Sequence, residues 1–507
     1  MRKYIQIQLL NAFRTFENAL NKVEQEIFGK RWNNVATLLT ALQESVIEVG
    51  NFIEEKEFDE RDKLIQNMEM CCELIYKCAI EQKWNIKQLL CQKIKESIWA
   101  WENTILSVSN VEPIKILFVP YKAEMWSCMH TLWECAMDRQ WNVQVVVSPY
   151  YSCEVGVKVF HYEAERFPDA LNVIHYSEYD LQSEHPEVII FHNPYDDSNN
   201  ITQLYEEFFT SNLRNNTELL IYSPYFTAGV CVPGRSDFMF EAPGTYYADV
   251  ILAQSEKAGK IFEQYDHQDQ TILTFGSPKV DYIARTKTNE INIPQEWKEK
   301  INGKKVFLLN THLSYFPEAS QNKKASGNYA ERFHKEIEKA FLGRDDCVLI
   351  WRPHPLLKTM INNRFPQCKE YIEHFERTVR QADNGIVDEY ADYMKAFSVS
   401  DGLISTWSSL INEYMITQKP ILIFQSRIKD EYKENVLLDR NVNYFRFGKD
   451  SMTFEEYRDM VVRGEDELKC MRLEAVKEAF PNVECSASQK IGDYIEKEFA
   501  LCGTIST

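Results

Sequence analysis

Two side chains that could bind phosphate or move a proton follow a short apolar run late in the chain. Residues 348–351 are apolar and are followed by Arg352-Pro353-His354-Pro355. The run predicts a buried parallel strand, and the two prolines end it and stiffen the loop. A guanidinium clamps phosphate with paired hydrogen bonds, and an imidazole can donate to phosphate or transfer a proton near neutral pH. Ligands of open α/β sheets bind at the carboxyl ends of strands, so Arg352 and His354 form a candidate phosphate site. The structural alternative is an arginine paired with a carboxylate and a histidine satisfied by the backbone.

A second stretch of the same region has the residue types of an anion site. A predicted strand ends at Ser405, and Ser408 and Ser409 then open a helix. Free backbone N–H groups and small hydroxyls at a helix N-terminus bind anions. Glu413 lies one turn further and could accept hydrogen bonds from a ribose. The structural alternative is a capped helix with a glutamate on its surface.

Strands that alternate with helices position these residues. Such alternation predicts two parallel sheets in two Rossmann-like domains, over residues 112–290 and 302–485. The second domain includes a predicted helix at 388–397. A charged, lysine-rich stretch at 290–304 is interpreted as a linker. The tail, 486–507, is predicted to be partly helical.

Residues 1–108 form a predicted helical domain. Apolar residues recur there at helical spacing in three stripes, and proline is absent before Pro113. Three or four antiparallel helices fit this pattern. The domain is a structural bundle, an oligomerisation surface or a docking platform for a partner.

Composition and charge limit the classes of protein to which the chain could belong. The 507 residues carry a net charge of −19, which argues against a nucleic-acid binder. The 13 cysteines lack paired CxxC spacing and indicate reduced thiols in a cytoplasmic protein. No apolar run is long enough to span a membrane, and no signal peptide is recognised. The sequence has no GxGxxG motif and no DxD-like motif near the strands of the cleft, so we expect neither a dinucleotide cofactor nor a bound metal. Asp196-Asp197 is a possible divalent-cation site, for which a solvated turn is the favoured alternative.

Two facing Rossmann-like domains after a helical domain predict an α/β protein of GT-B architecture. This architecture serves sugar-nucleotide transferases, some epimerases and phosphotransferases that act on nucleotide-activated alcohols. Fold alone does not choose among them.

Several motifs resemble one family. Arg352-Pro-His-Pro, residues 403–409 and residues 419–422 are similar to the signature of the CDP-glycerol glycerophosphotransferases, the teichoic-acid primases and polymerases. Residues 248–255 and 275–279 resemble the family's segments at the end of the first domain. The resemblance implies that Arg352, His354, Ser408 and Ser409 hold the donor pyrophosphate. It also implies that Glu413 holds the ribose.

The acceptor half departs from the family pattern. The family carries a Trp-His-Gly segment whose histidine is the proposed base, but residues 220–226 contain no histidine. His192 and His312 follow predicted strands and are the first candidates to replace that base. Tyr222 and Tyr225 are candidate acceptor contacts.

The sequence therefore predicts a transferase that uses a nucleotide-diphosphate donor, with CDP-glycerol or a related CDP-alcohol first. The acceptor is expected to be a glycan or a lipid-linked polymer, and a lipid-linked one would bring the protein to the inner face of the membrane. A nucleotide-sugar glycosyltransferase and a non-catalytic scaffold are the alternatives. A nucleotide-sugar epimerase is a weaker third, and self-association through the helical domain stays open.

Overall fold

The computed structural model describes most of the chain. The described residues are 1–154, 157–199, 201–227, 240–265, 269–287, 291–311, 323–354, 357–364, 366–390, 392–406, 408–424, 437, 439–447, 450–483 and 487–500. They form two compact units. The first contains residues 1–115, 140–142 and the end of the chain from Tyr494, and the second contains 116–139 and 143–493.

The first unit is built on four long helices. These are α1 (Lys3–Phe28), α2 (Trp32–Glu54), α3 (Arg61–Ile80) and α4 (Trp84–Leu106). Successive helices pack together, and α4 also packs on α1. Gln6 near the start of α1 donates to the Ile105 carbonyl at 3.2 Å, while Lys95 donates to Asn21 at 2.7 Å, so α1 and α4 are antiparallel. The apolar stripe of each helix lies in the bundle core, which confirms the predicted helical region.

Strands and helices alternate through the second unit. The strands are β1 (Lys115–Val119), β2 (Asn142–Val145), β3 (Tyr150–Glu154), β4 (Val157–His161), β5 (Val188–Phe191), β6 (Thr202–Leu204), β7 (Leu219–Tyr222), β8 (Val250–Leu252), β9 (Thr271–Leu273), β10 (Lys305–Thr311), β11 (Cys347–Pro353), β12 (Gly385–Val387), β13 (Gly402–Ser405), β14 (Ile421–Ile423) and β15 (Tyr444–Phe445). The helices are α5 (His130–Asp138), α6 (Leu181–Glu184), α7 (Thr210–Asn215), α8 (Pro243–Tyr247), α9 (Glu256–Phe262), α10 (Pro278–Ala284), α11 (Gln295–Ile301), α12 (Lys323–Phe341), α13 (Leu357–Arg364), α14 (Lys369–Gln381), α15 (Met394–Val399), α16 (Ser409–Met415), α17 (Phe454–Val462), α18 (Lys469–Ala479) and α19 (Ala487–Glu498).

Two six-stranded sheets organise this unit. The first has the order β2-β1-β5-β7-β8-β9, and the second has the order β12-β11-β10-β13-β14-β15. All neighbouring strands of the second sheet are parallel. A small antiparallel sheet, β4-β3-β6, accompanies the first. The structure confirms the predicted α/β class, with two parallel sheets after a helical region. This architecture is GT-B-like.

Each large sheet reverses its direction of growth once. In the first sheet the chain moves outward from β1 to β2 and then crosses back to β5 on the other side of β1. In the second it runs from β10 through β11 to β12 and then returns to β13, beside β10. The carboxyl ends of strands at such a reversal leave a crevice between the loops, which is where ligands of open α/β sheets bind.

Two local predictions were wrong. The stretch 290–304 is not only a linker, because it contains α11, whose Trp297 is buried in the core beneath the second sheet. The helix predicted at 388–397 begins at Met394 instead. Asp388 is extended at the end of β12 and pairs with an arginine of the neighbouring strand, so it is not available to start a helix.

Candidate functional site

The reversal point of the second sheet gathers three of the strand ends that the sequence singled out. Asn310 at the end of β10 is directly beside Arg352 of β11 and Ser405 of β13. Its side-chain nitrogen donates to the Arg352 carbonyl at 3.0 Å. The hydroxyls of Ser405 and Ser408 each donate to its side-chain oxygen at 3.3 Å. One buried amide thus ties the loops after β10, β11 and β13 together.

Arg352 is held by the protein itself. Its Nη1 donates to the Asp388 carboxylate at 2.7 Å and to the Tyr390 carbonyl at 2.8 Å. The Asp388 side chain is fully buried, and burial raises its pKa more than the neighbouring guanidinium lowers it. The arginine–carboxylate pair that the sequence left as an alternative is therefore present. It fixes the plane of the guanidinium at the carboxyl edge of the sheet.

His354 follows directly and is half-buried. Its backbone N–H donates to the Thr311 carbonyl at 3.0 Å, which joins the loops after β10 and β11 again. Burial lowers the pKa of its imidazole, so the ring is neutral at pH 7. A neutral ring can donate one hydrogen bond to a phosphate oxygen without adding charge.

Arg352 and His354 both line a cavity of about 210 Å³. Lys358 lies on the same wall, and Glu124 and Arg166 reach it from the region of the first sheet. Sequence reasoning missed Arg166 and Lys358, because neither belongs to a motif. Three cationic side chains and His354 line the cavity, together with the four carboxylates of Glu124, Glu376, Asp388 and Glu389, and each of the three cations pairs with one of these carboxylates.

Ser408 and Glu413 follow β13, which lies on the opposite side of β10 from β11. Ser408 precedes α16, and the side chain of Ser409 lies outside the described residues. Glu413 is not on the surface. Its carboxylate forms a buried ion pair with Lys279 at 2.5 Å, and Lys279 also donates to the Tyr225 carbonyl at 2.8 Å.

Lys279 was not identified from the sequence as a site residue. It comes from the first turn of α10, in the segment 275–279 whose family resemblance was the only signal available. Its ammonium group lies 5.9 Å from the ring centre of Tyr393. The pKa of Tyr393 is raised well above its usual value by burial and by the charge of Glu413. The pair thus lies in a closed, weakly solvated setting.

The two candidate bases, His192 and His312, differ in whether the structure describes them. His312 lies outside the described residues. His192 follows β5 at the reversal point of the first sheet and is fully buried, with Nε2 accepting from the Tyr121 N–H at 3.2 Å. Burial, followed by the charges of Lys279 and Lys122, lowers the pKa of His192 to about 3. Such an imidazole is a poor proton acceptor at neutral pH, so the placement of His192 does not favour a role as general base.

The two candidate acceptor tyrosines have different surroundings. Tyr222 is fully buried in the core of the first sheet, with its ring stacked on Phe191 at 5.3 Å. It therefore supports the sheet and cannot touch an acceptor without a rearrangement of the core. Tyr225 is partly exposed, and its ring meets that of His192 edge-on at 6.1 Å. Of the two, only Tyr225 reaches the solvent, and its contact with an acceptor stays a prediction.

Asp196 has a structural role. Its carboxylate accepts from the N–H and hydroxyl of Thr210 at 3.0 and 2.6 Å, at the start of α7. Asp197 beside it is exposed. Across the part of the chain that the structure describes, no three histidine, cysteine or carboxylate side chains come together as metal ligands.

None of the described helices has the length and apolar character to cross a bilayer.

Comparison with known proteins gives relatives of low identity. The teichoic acid ribitol-phosphate polymerase TarK of Staphylococcus aureus is 24% identical over 177 residues, which are 33% of this chain and 30% of TarK. The chain thus spans under a third of the length of that relative. A solved structure of the wall teichoic acid polymerase TagF is 17% identical, with a TM-score of 0.46 over 86% of this chain and 98% of that one. The S. aureus MnaA–UDP structure is 13% identical, with a TM-score of 0.47 over 76% of this chain and 96% of that one.

The match to a family model is more extensive. Residues 241–497 match the family described as CDP-glycerol:poly(glycerophosphate) glycerophosphotransferase. The matched region is slightly more than half of the chain and includes Lys279, the whole second sheet and the cluster around Asn310. The chain therefore belongs to the CDP-glycerol:poly(glycerophosphate) glycerophosphotransferase family.

Proposed function

We propose that this protein transfers an alcohol phosphate, glycerol phosphate first, from a CDP-alcohol to a hydroxyl of a surface polymer or glycan. The observation that carries the proposal is the convergence of Arg352, Asn310 and Ser408 at the reversal point of the second sheet, inside the family-matched region. An arginine, a half-buried histidine and the Ser408 hydroxyl at one sheet edge suit a pyrophosphate.

The proposed chemistry is one substitution at phosphorus. The acceptor hydroxyl oxygen attacks the phosphorus that bears glycerol, and the bond from that phosphorus to the bridging oxygen of the pyrophosphate breaks. CMP leaves with the electron pair of that bond, and the hydroxyl proton passes to a base or to water. Charge builds up on the leaving phosphate, so cationic and N–H donors fixed beforehand lower the barrier.

Arg352 is the main donor in this proposal. Asp388 and Tyr390 already hold its Nη1, so the guanidinium loses little freedom when a phosphate arrives. His354, neutral at pH 7, would donate to a second phosphate oxygen. Arg166 and Lys358 line the same cavity, where each pairs with a glutamate, and would turn towards the phosphates when the donor binds.

The proposal leaves open which alcohol the CDP donor carries. The relative TarK is described as a ribitol-phosphate polymerase, so CDP-ribitol is tested beside CDP-glycerol. If the acceptor is lipid-linked, the protein would act at the inner face of the membrane. That location is part of the same proposal.

The proposal is tested by calorimetric titration with CDP-glycerol, CDP-ribitol, CMP and UDP, and by CMP release in the presence of teichoic-acid acceptors. We expect cytidine nucleotides to bind in preference to UDP. Arg352→Ala should slow CMP release by about 10²-fold or more, the usual cost of removing one charge-stabilising donor.

Arg344→Ala is the control at a distance from the site, because Arg344 also pairs with an aspartate, Asp346 at 2.9 Å, just before the opposite end of β11, although this pair is at the surface. It should leave binding and CMP release unchanged. Tight binding of UDP in preference to CMP would contradict the proposal and favour a nucleotide-sugar enzyme. Nucleotide binding without CMP release for any acceptor would contradict the transfer step.

A further inference from the structure

Two cysteines of the helical bundle hold their sulfur atoms together. Cys78 lies in the last turn of α3, and Cys91 lies two turns into α4. Their Sγ atoms are 3.7 Å apart, and both side chains are fully buried. The two helices pack on each other and are joined by residues 81–83 alone. The packing of the helices therefore brings together two thiols whose spacing in the sequence matches no cysteine motif.

The movement needed to join the two sulfur atoms is small. A disulfide bond holds its sulfur atoms about 2.05 Å apart, so the two would have to approach by roughly 1.6 Å. Rotation of the two side chains and a slight shift of the end of α3 would supply this approach. The bond would close the loop of residues 78–91 and tie the end of α3 to α4.

The surroundings make the two thiols unequal. The buried ammonium group of Lys87 donates to the carbonyls of Cys78 and Ala79 at 2.5 and 3.2 Å. The hydrogen bond with the Cys91 thiol, followed by the charge of Lys87, lowers the pKa of Cys78 against the opposing effect of burial. The same hydrogen bond, burial and the charges of Cys78 and Glu24 raise the pKa of Cys91. Cys78 is therefore the thiol that ionises first, and Cys91 keeps its proton.

The end of α3 gives a small reagent access to this pair. The last carbonyls of a helix lack intrahelical partners, and helix ends open locally at a lower free energy than the core. The carbonyls of Cys78 and Ala79 depend on Lys87 of the next helix, so opening of this one turn exposes the Cys78 sulfur. Cys71 lies two turns further into α3 and is equally buried, and burial raises its pKa to about 12. It provides an unreactive thiol on the same helix for comparison.

We propose that Cys78 and Cys91 are an oxidation site that closes to a disulfide when the protein meets a hydroperoxide. The Cys78 thiolate attacks one oxygen of hydrogen peroxide, the O–O bond breaks, and Cys78 becomes a sulfenic acid. The hydroxide that leaves takes up the proton that the Cys78 thiol had released.

The second step closes the bond. The Cys91 sulfur attacks the Cys78 sulfur, the S–O bond breaks, and the hydroxyl group leaves as water with the Cys91 proton. In sum, one peroxide is reduced to two waters while two thiols are oxidised to one disulfide. Both cysteines lie outside the family-matched residues 241–497, and the inference does not depend on the proposed transfer activity.

The test is oxidation of the reduced, folded full chain by hydrogen peroxide, with each cysteine followed by mass spectrometry of a proteolytic digest. We expect a peptide pair joined through Cys78 and Cys91 to form at least tenfold faster than Cys71 is modified, and dithiothreitol to reverse it. Hydrogen exchange in the last turn of α3 should slow at least tenfold in the oxidised protein, because the disulfide holds that turn closed. In Cys91→Ser, Cys78 should stop at the sulfenic acid and be captured by dimedone. In Cys78→Ser, Cys91 should remain a thiol.

Three results would overturn the inference. The first is that both thiols stay intact in the folded protein after the exposed Cys470 has been oxidised. The second is modification of Cys71 as fast as Cys78, which would mean that these thiols react only when the whole bundle unfolds. The third is a disulfide from Cys78 or Cys91 to another copy of the chain, seen as a covalent dimer. Circular dichroism shows whether the two serine variants still fold, and CDP-glycerol binding, measured in parallel, reports separately on the proposed function.

Discussion

Lys279 and Glu413 form a buried ion pair between α10 and α16, 134 residues apart in the chain. Their side chains are only 8% and 7% exposed. The carbonyl of Tyr225, from the loop after β7, accepts a further hydrogen bond from the same ammonium group. The pair therefore fixes the carboxylate that the family resemblance assigns to the ribose, and it joins the region of the first sheet to the second.

Removing one partner of this pair should be costly. Lys279→Met or Glu413→Leu leaves the other charge buried without compensation, so we expect the free energy of unfolding to fall by about 3 kcal/mol. The double variant should lose less than the sum of the two, because no uncompensated charge remains. Urea unfolding of the three variants measures this. Lys305→Met is the control: its pair with Asp401 is 40% and 31% exposed, and its loss should cost about 1 kcal/mol or less. Equal costs for Lys279→Met and Lys305→Met would contradict the prediction.

Asn310 should matter for binding as well as stability. Asn310→Leu removes the acceptor of the Ser408 hydroxyl and a donor to the Arg352 carbonyl, while the Ser405 hydroxyl keeps its hydrogen bond to the Thr406 carbonyl at 2.8 Å. We expect a loss of about 1–3 kcal/mol of stability. Because the loop that carries Arg352 loosens, we also expect CDP-glycerol to bind about tenfold more weakly, as measured by calorimetry.

Asn384→Leu is the control for that experiment. Asn384 is equally buried, and its amide donates to the Phe341 and Cys347 carbonyls at 2.7 and 2.9 Å, near the opposite end of β11. It should lose stability but keep the affinity for CDP-glycerol. An equal loss of affinity in both variants would show that general destabilisation, and not the position of Asn310, is responsible.

Acid should weaken the fold through a buried histidine. Burial, with a smaller effect of His374, lowers the pKa of His334 from its ordinary 6.5 to about 3. The unfolded chain takes up a proton as the pH falls below 6.5, while the folded ring stays neutral. The stability that this site contributes is therefore complete above pH 6.5 and is lost as the pH falls towards 3, at about 1.4 kcal/mol per pH unit.

His334→Phe removes that loss. Its ring stacks on Phe375 at 4.2 Å, so phenylalanine fits the same place. The slope of unfolding free energy against pH, measured between pH 4 and 6, should become shallower by about 1.4 kcal/mol per pH unit. An unchanged slope in His334→Phe would refute the prediction.

Asp281 should anchor the last helix. Its carboxylate accepts from the Ser488 N–H at 2.7 Å, the Ser488 hydroxyl at 2.9 Å and the Asn482 amide at 2.7 Å, at the start of α19. Asp281→Ala should lower stability by roughly 3 kcal/mol, since these buried donors lose a charged acceptor. Hydrogen exchange of the Ser488 amide should accelerate. Ser255→Ala, which removes the local cap of α9, should cost about 1 kcal/mol and leave Ser488 unaffected.

The sequence by itself determined the helical bundle and most strands of the two large sheets, but not α11, the start of α15 or the small antiparallel sheet. The helical period of residues 1–108 predicts the bundle, and the alternating apolar runs predict both sheets. Arg352, His354 and Ser408 were recognised because a strand end, two prolines and a helix start are local patterns. The family resemblance rested on the same short motifs, and the match over residues 241–497 confirms it.

Only the tertiary structure decided which side chains meet. Glu413 was predicted to hold a ribose or to lie on the surface, and only the structure shows that it pairs with Lys279 of α10. Asp388 was predicted to start a helix, but it pairs with Arg352 of β11. The place of Tyr222 in a predicted strand did not reveal that its side chain is buried. Its burial depends on which face of the sheet is covered. Periodicity reports on neighbours within a few residues, whereas an ion pair across more than a hundred residues depends on the order in which strands join a sheet.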